Sequence, residues 1–357
     1  MHRSTGAAFI VIAALGLAAP AFAHDFCVDT SAAIQGALTA SQANGEDDVI
    51  WIKSGNYPLD TDLSTGLSFG STEAHHLEIY GGFDDISTCP PPALMTFLNF
   101  AGAGTTLDGE NAVRPLQISN ANGDVTIEGL RFASGSVNGN GGAVNVGAAS
   151  VDISFNRFYG NHASGANGEG GAVFAVAIAG TIRFYENLLF ANHGTKAGAA
   201  KLIQSAAGAA KAQYNTIVDN ITDTLAEPGG LRINCITGAS FIIDNNIVWG
   251  NHASGGSDLG VFCAHARNTN DLYFPLTPGS TDIGFTSDLS VGPQFASCGF
   301  LCFDFELKFS SPLVDAGTDP PSAHGFDLAG KFRYQGLHGD IGAFENEVIF
   351  ADGFEAP

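Results

Sequence analysis

The sequence predicts an all-β protein whose chain winds into a parallel β-helix. The first observation is a repeat: between residues 124 and 263, a glycine turn, a short apolar strand and an asparagine turn return about every 29 residues. The second is a period of two within each strand, where apolar residues alternate with residues expected to face outward. The third is the repeat length, which is too short for a βαβ unit.

Five short strands follow the glycine turns, at 141–146, 170–175, 198–202, 229–233 and 258–262. Their inward pairs step by 29, 27, 31 and 28 residues: Val144/Val146, Val173/Ala175, Ala200/Leu202, Leu231/Ile233 and Leu259/Val261. The residues between them are expected to face outward: Asn145, Phe174, Lys201, Arg232 and Gly260. A helical solenoid would instead need apolar residues every three or four positions.

The asparagine turns repeat in a register of their own. Their two asparagines step by 31, 28 and 31 residues, as Asn156, Asn187, Asn215 and Asn246 and as Asn161, Asn192, Asn220 and Asn251. An asparagine at a corner tolerates a left-handed backbone and can bond its amide to the equivalent residue one coil away. The eight asparagines are therefore predicted to form a structural ladder. We expect apolar stacking to stabilise the fold more, at about 1.5 to 3 kcal/mol per buried side chain against about 1 kcal/mol per hydrogen bond.

The remaining chain divides around these repeats. Residues 1–23 read as a signal peptide, with Arg3, an apolar run and Ala21-Phe22-Ala23 as a cleavage site. Residues 24–48 form a predicted N-terminal cap, with a short helix starting at Thr30-Ser31 that covers the open end of the first coil. The β-helix is predicted at 49–300, a C-terminal closing segment at 301–347 and a sorting-like tail at 348–357.

Charge and composition exclude several partners. The formal net charge is −22 and only 14 residues are Lys or Arg, so nucleic acid is not an expected ligand. Anionic polysaccharide is disfavoured for the same reason, unless a cation bridges it. No stretch after the signal peptide reaches the about 18 apolar residues of a membrane span, so we expect no transmembrane segment in the mature chain.

Six cysteines in an exported chain indicate disulfides. Cys235 and Cys263 are separated by the step that relates adjacent coils, so they are predicted to stack and bond. By elimination, Cys298 is expected to pair with Cys302, and Cys27 with Cys89. Free buried thiols are the alternative.

The repeats resemble those of polymorphic outer-membrane proteins and of right-handed parallel β-helix repeat proteins, through Gly-Gly-Ala-Val and the 158–161 turn. The segments 311–317, 327–330, Arg333 and 340–345 resemble the end of a bacterial choice-of-anchor Q domain. This resemblance implies a single-stranded, right-handed, pectate-lyase-like solenoid in a protein secreted or held at the outer cell surface. Residues 349–355 are similar to a terminal motif of exported bacterial proteins.

No catalytic residues stand out. Asp152 and Arg183 align on adjacent coils and are expected to form an exposed ion pair. Recurring Asn-His pairs at 161–162, 192–193 and 251–252 are interpreted as turn residues rather than a transition-metal site. Asp315, Asp319, Asp327 and Asp340 are the candidate calcium ligands, against the alternative of a solvated loop.

The sequence therefore predicts a secreted or cell-surface scaffold that binds carbohydrate or a cell surface and needs no cofactor other than the calcium considered above. The alternative is a divergent polysaccharide lyase or glycoside hydrolase. That alternative requires at least two acids, or an acid and a base, gathered on one outward face.

Overall fold

A computed structural model describes residues 23–91, 104–236, 238–253, 257–268, 272–273, 280, 292–296, 305–318, 325–333, 336 and 338–346. All four of its sheets are parallel, and they stack into a β-solenoid of about seven turns. The predicted fold class is therefore confirmed. The signal peptide up to residue 22, the tail at 348–357, Cys298, Cys302 and Asp319 lie outside the described residues.

Each complete turn passes through the four sheets, which we call C, A, B and D in the order in which the chain meets them. The strands Val144–Ala148, Val151–Ser154, Arg157–Tyr159 and His162–Ser164 make up one such turn. The next strand, Val173–Ala177, returns to sheet C beside Val144–Ala148. Residues about one turn apart are thereby placed side by side.

Sheets A and B contain nine and eight strands, respectively. The strands of sheet A are His24–Val28, Asp48–Lys53, Leu77–Phe83, Val125–Glu128, Val151–Ser154, Ile182–Tyr185, Ala209–Gln213, Ser240–Asp244 and His265–Asn268. Those of sheet B are Gly55–Pro58, Thr105–Asp108, Leu130–Ala133, Arg157–Tyr159, Leu188–Phe190, Thr216–Val218, Ile247–Trp249 and Leu272–Tyr273.

Sheets C and D contain seven and five strands. The strands of sheet C are Leu67–Ser71, Leu116–Asn120, Val144–Ala148, Val173–Ala177, Ala200–Gln204, Leu231–Cys235 and Leu259–Phe262. Those of sheet D are Ser136–Asn138, His162–Ser164, His193–Gly194, Ile221–Thr222 and His252–Ala253. Sheet C holds the five strands predicted after the glycine turns.

The core is the interior of the coil. All ten predicted inward residues of sheet C are fully buried, and the register pairs each with its equivalent on the next turn, as Leu231 with Leu259 and Ile233 with Val261. Sheets A and B add large side chains to the same cluster, among them Ile153, Phe158 and Phe184. The alternation read from the sequence is thus what separates the inside of the solenoid from the outside.

At each asparagine corner, one residue has a left-handed backbone conformation. That residue is not the ladder asparagine that the sequence had predicted. In the first ladder the positive φ belongs to the residue before the asparagine, as in Phe155 (56°), Glu186 (54°) and Tyr214 (57°). The asparagine that follows points inward, where its amide bonds to the backbone. The prediction that the ladder asparagines take up the left-handed strain was therefore wrong in register by one residue.

The two glycines of the turn at 170–171 serve different purposes. Gly170 has a φ of 67°, which favours glycine. At Gly171 a Cβ would lie 2.0 Å from the carbonyl oxygen of Gly198 on the next turn, so a side chain there would push the coils apart. The close approach recurs at Gly142 and Gly198, whereas Ala197 takes the left-handed position in the next turn, so the spacing of the coils is what most requires glycine.

The N-terminal helix is Ser31–Ala40, and Thr30 caps it by accepting a hydrogen bond from the Ala33 amide. Its buried face contributes Ile34, Ala37 and Leu38 to the solenoid core. The strand His24–Val28 precedes this helix and already belongs to sheet A. A second, short helix, Leu59–Leu63, connects sheet B to sheet C in the first turn.

The described residues of the C-terminal segment, 305–318, 325–333 and 338–346, pack against the outside of sheet B. A second apolar cluster joins Leu188, Phe190, Val218 and Ile247 of sheet B to side chains of this segment. The segment contributes Phe305, Leu307, Leu313, Leu328, Ile341, Ala343 and Phe344. The middle strands of sheet B are consequently buried on both faces, which explains why Leu188, Leu189 and Phe190 are apolar at three consecutive positions.

Candidate functional site

The eight predicted asparagines form two continuous hydrogen-bonded columns inside the corners. Asn192 illustrates the pattern: its Nδ2 donates to the Phe158 carbonyl (3.0 Å) and to Asn220 Oδ1 (2.9 Å). Its Oδ1 accepts from the amide and from Nδ2 of Asn161 (3.1 and 2.9 Å). The second column ends at Asp258, whose carboxylate accepts from both the amide and Nδ2 of Asn251. These residues hold coils together and leave few polar atoms for a ligand.

The structure contains two disulfides, Cys27–Cys89 and Cys235–Cys263. The second joins adjacent coils over a separation of 28 residues, with a Cα–Cα distance of 4.8 Å. The first joins the first strand of sheet A to the excursion that follows Phe83. Cys298 and Cys302 fall outside the described part of the chain.

The predicted calcium ligands lie in the C-terminal segment, and two of them are occupied by backbone amides. Asp327 accepts from the amides of Ala329, Lys331 and Glu345, at 2.7 to 2.9 Å. Asp340 accepts from the amides of Asp315 and Asn346, both at 2.8 Å. Within the described residues no group of three or more His, Cys, Asp or Glu side chains is arranged for a metal ion.

Arg333 is the centre of this segment. Its guanidinium is completely buried, donates from Nε to Glu186 Oε1 (3.0 Å) and from Nη2 to Glu186 Oε2, and lies 4.5 Å above the Tyr214 ring. Glu345 Oε2 lies 3.4 Å from Nη1. Burial lowers the pKa of Arg333, but the charges of Glu186, Asp327 and Glu345 raise it above its ordinary value overall. The segments that resemble a choice-of-anchor Q terminus therefore meet around one ion-paired arginine that fixes them to the solenoid.

The histidines of sheet D form a stacked pair. The rings of His162 and His193 lie 4.7 Å apart, and His193 Nε2 lies 2.7 Å from Asp223. Burial, with the charge of His193, lowers the pKa of His162. In the register, Ile221 lies between His193 and His252, so the third histidine does not join them.

The outward face of sheet A gathers the polar and aromatic side chains best suited to chemistry. Two outward rows run across its strands, each row placing equivalent positions about 4.8 Å apart. The first row contains Asp25, Val49, Glu78, Thr126, Asp152, Arg183 and Lys211. The second contains Cys27, Trp51, Tyr80, Glu128, Ser154, Tyr185 and Gln213.

Three carboxyl groups lie on neighbouring strands at the middle of this face. Glu78, Glu128 and Asp152 come from three consecutive strands of sheet A. Glu128 is 8% exposed, and burial, together with the charges of Asp152 and Glu78, raises its pKa to about 8. The same environment raises the pKa of Tyr80, first by burial and then by the charges of Glu78 and Glu128. Glu128 therefore carries a proton at neutral pH.

Asp152 has different surroundings from Glu128. Its Oδ1 accepts from the Ser154 hydroxyl (2.7 Å), and its Oδ2 lies 3.8 Å from Arg183 Nη1. Only a quarter of the Asp152 side chain is exposed, whereas 62% of the Arg183 side chain is. The ion pair expected from the sequence is thus present, but its acid is mostly buried rather than exposed.

A cavity of about 250 Å³ lies against Asp152. Its lining is mostly polar and comes from the outward row and from the preceding corners: His76, Asp124, Val125, Thr126, Ser150, Val151, Asp152, Thr181 and Arg183. Hydroxyl, imidazole, carboxylate and guanidinium groups therefore line one space.

An aromatic pair lies on the same face toward the N-terminus. The rings of Trp51 and Tyr80 stack at 4.9 Å, and Phe83 meets Trp51 edge-on at 5.2 Å. Trp51 Nε1 donates to Asp25 Oδ1 (2.7 Å), and the Tyr80 hydroxyl donates to Glu78 Oε2 (2.9 Å). Both rings are half-buried, so their outer edges remain accessible.

The sequence analysis did not identify these three carboxyl groups as a set on one face. Glu128 and Asp152 are offset by two residues in the register, so no fixed step connects them. The signal was the alternation itself, since Leu77-Glu78-Ile79-Tyr80 and Val125-Thr126-Ile127-Glu128 put acids and a tyrosine at outward positions.

No protein family, no curated protein and no solved structure matches this chain. Among the described residues no helix is long and apolar enough to cross a membrane. The parallel β-helix repeat architecture is what the structure establishes.

Proposed function

We propose that the protein is an exported β-solenoid that binds neutral carbohydrate along the outward face of sheet A. The observation that carries the proposal is the stacked Trp51–Tyr80 pair, which continues into a line of polar side chains and a cavity. Carbohydrate sites combine aromatic surface for the apolar faces of sugar rings with a few placed polar groups for their hydroxyls.

The charge of the molecule supports a neutral ligand. With a net charge of −22, and with Glu78 and Asp152 on this face, an anionic polysaccharide would be repelled. Hydroxyl groups, by contrast, can donate to Asp152 and Glu78 and accept from Thr126 and Arg183. We therefore favour neutral polysaccharides over uronic-acid polymers.

Export to the outside of the cell is part of the same proposal. It rests on the signal-peptide features of residues 1–23, on two disulfides, and on the resemblance of the C-terminal segment to a choice-of-anchor Q domain. Residues 348–357 would then act as the sorting address. Deleting them should move the protein between cell-surface and medium fractions without changing its thermal transition, and an unchanged distribution would refute this role.

Binding can be tested by affinity electrophoresis and calorimetry against glucan, mannan, xylan, galactan and polygalacturonate. Wild-type protein should bind at least one neutral polymer and not polygalacturonate. Trp51→Ala should weaken that binding at least about tenfold, and Trp51→Phe should weaken it less because a ring remains. The matched control is His162→Ala, which removes one ring of the stacked pair on sheet D.

Two results would contradict the proposal. One is the absence of binding to every neutral polymer; the other is an equal loss of binding in Trp51→Ala and His162→Ala. Thermal unfolding of each variant shows whether a loss of binding reflects a loss of folding.

A further inference from the structure

A second cavity, of about 320 Å³, lies on the C-terminal segment, away from sheet A. Its lining includes Glu306, Leu307, Lys308, Phe309, Lys331 and Asn346. Phe309 is 64% exposed, although it is one of the largest apolar side chains of the segment. A concave surface with an apolar wall and a few polar groups is typical of a binding site.

The chain reaches the wall of this cavity at Asn346, and residues 347–357 follow outside the described part. The Nδ2 of Asn346 donates to the Leu307 carbonyl (2.6 Å), and its backbone amide donates to Asp340 Oδ2 (2.8 Å). Both bonds fix the point at which the chain leaves the segment. Since a residue spans at most about 3.6 Å, residues 348–350 start within about 14 Å of Asn346.

The residues that follow Asn346 match the cavity in polarity. Residues 348–350 are Val-Ile-Phe, and Glu347 and Asp352 flank this apolar run. In an extended segment successive side chains alternate, so Val348 and Phe350 face the same side. Such a segment has an apolar face with an acid near each end.

The charges of the cavity and of the tail are complementary. The whole chain has a net charge of −22, but the cavity lining carries two lysines, Lys308 and Lys331, against one acid, Glu306. Lys308 is exposed. Residues 347–357 contain three acids and no Lys or Arg. A locally cationic site in an anionic protein attracts an acidic segment in preference to the rest of the surface.

We propose that this cavity is the docking site of the protein's own C-terminal tail. Val348 and Phe350 lie against the apolar wall, and the flanking acids lie near Lys308. The docking is independent of the carbohydrate-binding face. Its consequence rests on the proposed sorting role of residues 348–357: the docked tail withholds its apolar address until a receptor that binds the same run competes for it.

Tethering allows this contact to form without a large interface. Because the tail is attached at the edge of the cavity, its effective concentration there is on the order of millimolar, so a weak contact is enough to hold it. The docked tail exchanges with an open form, and a protease cuts the open form. The rate at which the tail is cut therefore measures the docking.

The first experiment treats the intact protein with chymotrypsin, which cuts after Phe350, and follows release of the tail by mass spectrometry. Release should be at least about tenfold slower than from a synthetic peptide of residues 345–357, because only the open tail is cut. Phe309→Ser should bring the rate within about twofold of the peptide. Phe332→Ser is the matched control, since Phe332 is 66% exposed in the same segment and is not part of the cavity lining, and it should leave release slow.

Hydrogen exchange gives a measurement that does not depend on a protease. Phe350→Ser should speed exchange at the amides of residues 306–309, because it uncovers the cavity wall. Lys308→Glu should do the same by repelling the acidic tail. Phe354→Ser should change this exchange little, because Asp352-Gly353 is a turn signal that separates Phe354 from the apolar run. Thermal unfolding of each variant shows that the fold is kept.

Two results in the protease experiment would overturn the docking: release from the wild-type chain as fast as from the peptide, or equal acceleration in Phe309→Ser and Phe332→Ser. Protection that increases with protein concentration would also overturn it, because the tail would then lie on a second copy.

The fraction of protein at the cell surface separates docking from sorting. Slow release, with a surface fraction that deletion of residues 348–357 leaves unchanged, supports the docking and refutes the sorting role. Fast release with a changed fraction refutes the docking and supports the sorting role. If both hold, Phe309→Ser should change the surface fraction, and an unchanged fraction overturns the withholding of the address.

Discussion

Replacing one ladder asparagine should destabilise the protein as much as replacing a large core residue. Asn192 is fully buried, and its side chain takes part in four hydrogen bonds, two as donor and two as acceptor. At about 1 kcal/mol net for each bond, Asn192→Ala should lower the free energy of unfolding by about 4 kcal/mol. The Asn161 amide would be left buried without its acceptor, which adds to the loss.

This magnitude can be compared directly with apolar packing. Leu202→Ala empties part of the interior of the coil and should cost about 2 to 5 kcal/mol. Asn145→Ala is the matched control, since Asn145 lies on the outward row of sheet C, and it should change stability by under about 0.5 kcal/mol.

The assay is guanidinium unfolding followed by circular dichroism, with hydrogen exchange at the Asn161 amide as a local measurement. Faster exchange at that amide in Asn192→Ala locates the damage in the ladder. If Asn192→Ala costs no more than Asn145→Ala, the ladder contributes little stability and the reasoning is refuted.

Three further outcomes follow from the buried charges and the disulfide. Arg333→Met leaves a buried carboxylate without its cation and should cost about 3 to 5 kcal/mol in denaturant unfolding, against under about 1 kcal/mol for Arg183→Met in its exposed pair; equal losses would contradict this. Because folding raises the pKa of Glu345 from 4.5 to about 8, its contribution to stability is complete below about pH 4.5 and lost as pH rises to about 8. Glu345→Gln should therefore flatten the fall in thermal stability across that range, and an unchanged slope would argue against it. Replacing Cys235 and Cys263 together by serine should cost about 3 to 4 kcal/mol in thermal unfolding, and a change under about 1 kcal/mol would show that the bond does not constrain the unfolded chain.

The fold could be predicted from the sequence because its signals are local and periodic. The step from Leu231 to Leu259 is the register of neighbouring strands, and the step from Asn187 to Asn215 is the spacing of neighbouring ladder residues. Each coil repeats the same pattern of apolar residues and asparagines, so an ambiguous assignment at one coil is resolved by the others. The stability that the ladder contributes relative to apolar packing was harder to predict, because the number of hydrogen bonds per asparagine depends on whether its amide points inward.

Two features could not be predicted in the same way. They are the packing of the C-terminal segment on sheet B and the set of carboxyl groups on sheet A. Arg333 meets Glu186 across 147 residues, and no period links the two positions. Likewise, Glu128 and Asp152 lie on neighbouring strands with a two-residue offset, which a step between identical positions does not reveal. Contacts between a repeat and a non-repeating segment need coordinates.

The column of amides that ends at Asp258 has a polarity. Along the column, every Nδ2 donates one hydrogen to the side chain of the next coil toward the C-terminal end, and the Oδ1 of that side chain accepts it. The second hydrogen of each Nδ2 goes to a backbone carbonyl of the preceding coil. If a coil were duplicated and inserted before Asn220, its ladder asparagine would meet a hydrogen-bond donor on one side and an acceptor on the other. Asp258, whose Oδ1 accepts from both the backbone amide and the Nδ2 of Asn251, ends the series of asparagines. Gene duplication can thus lengthen such a rod by inserting coils in its middle, whereas the asparagine column does not continue past Asp258.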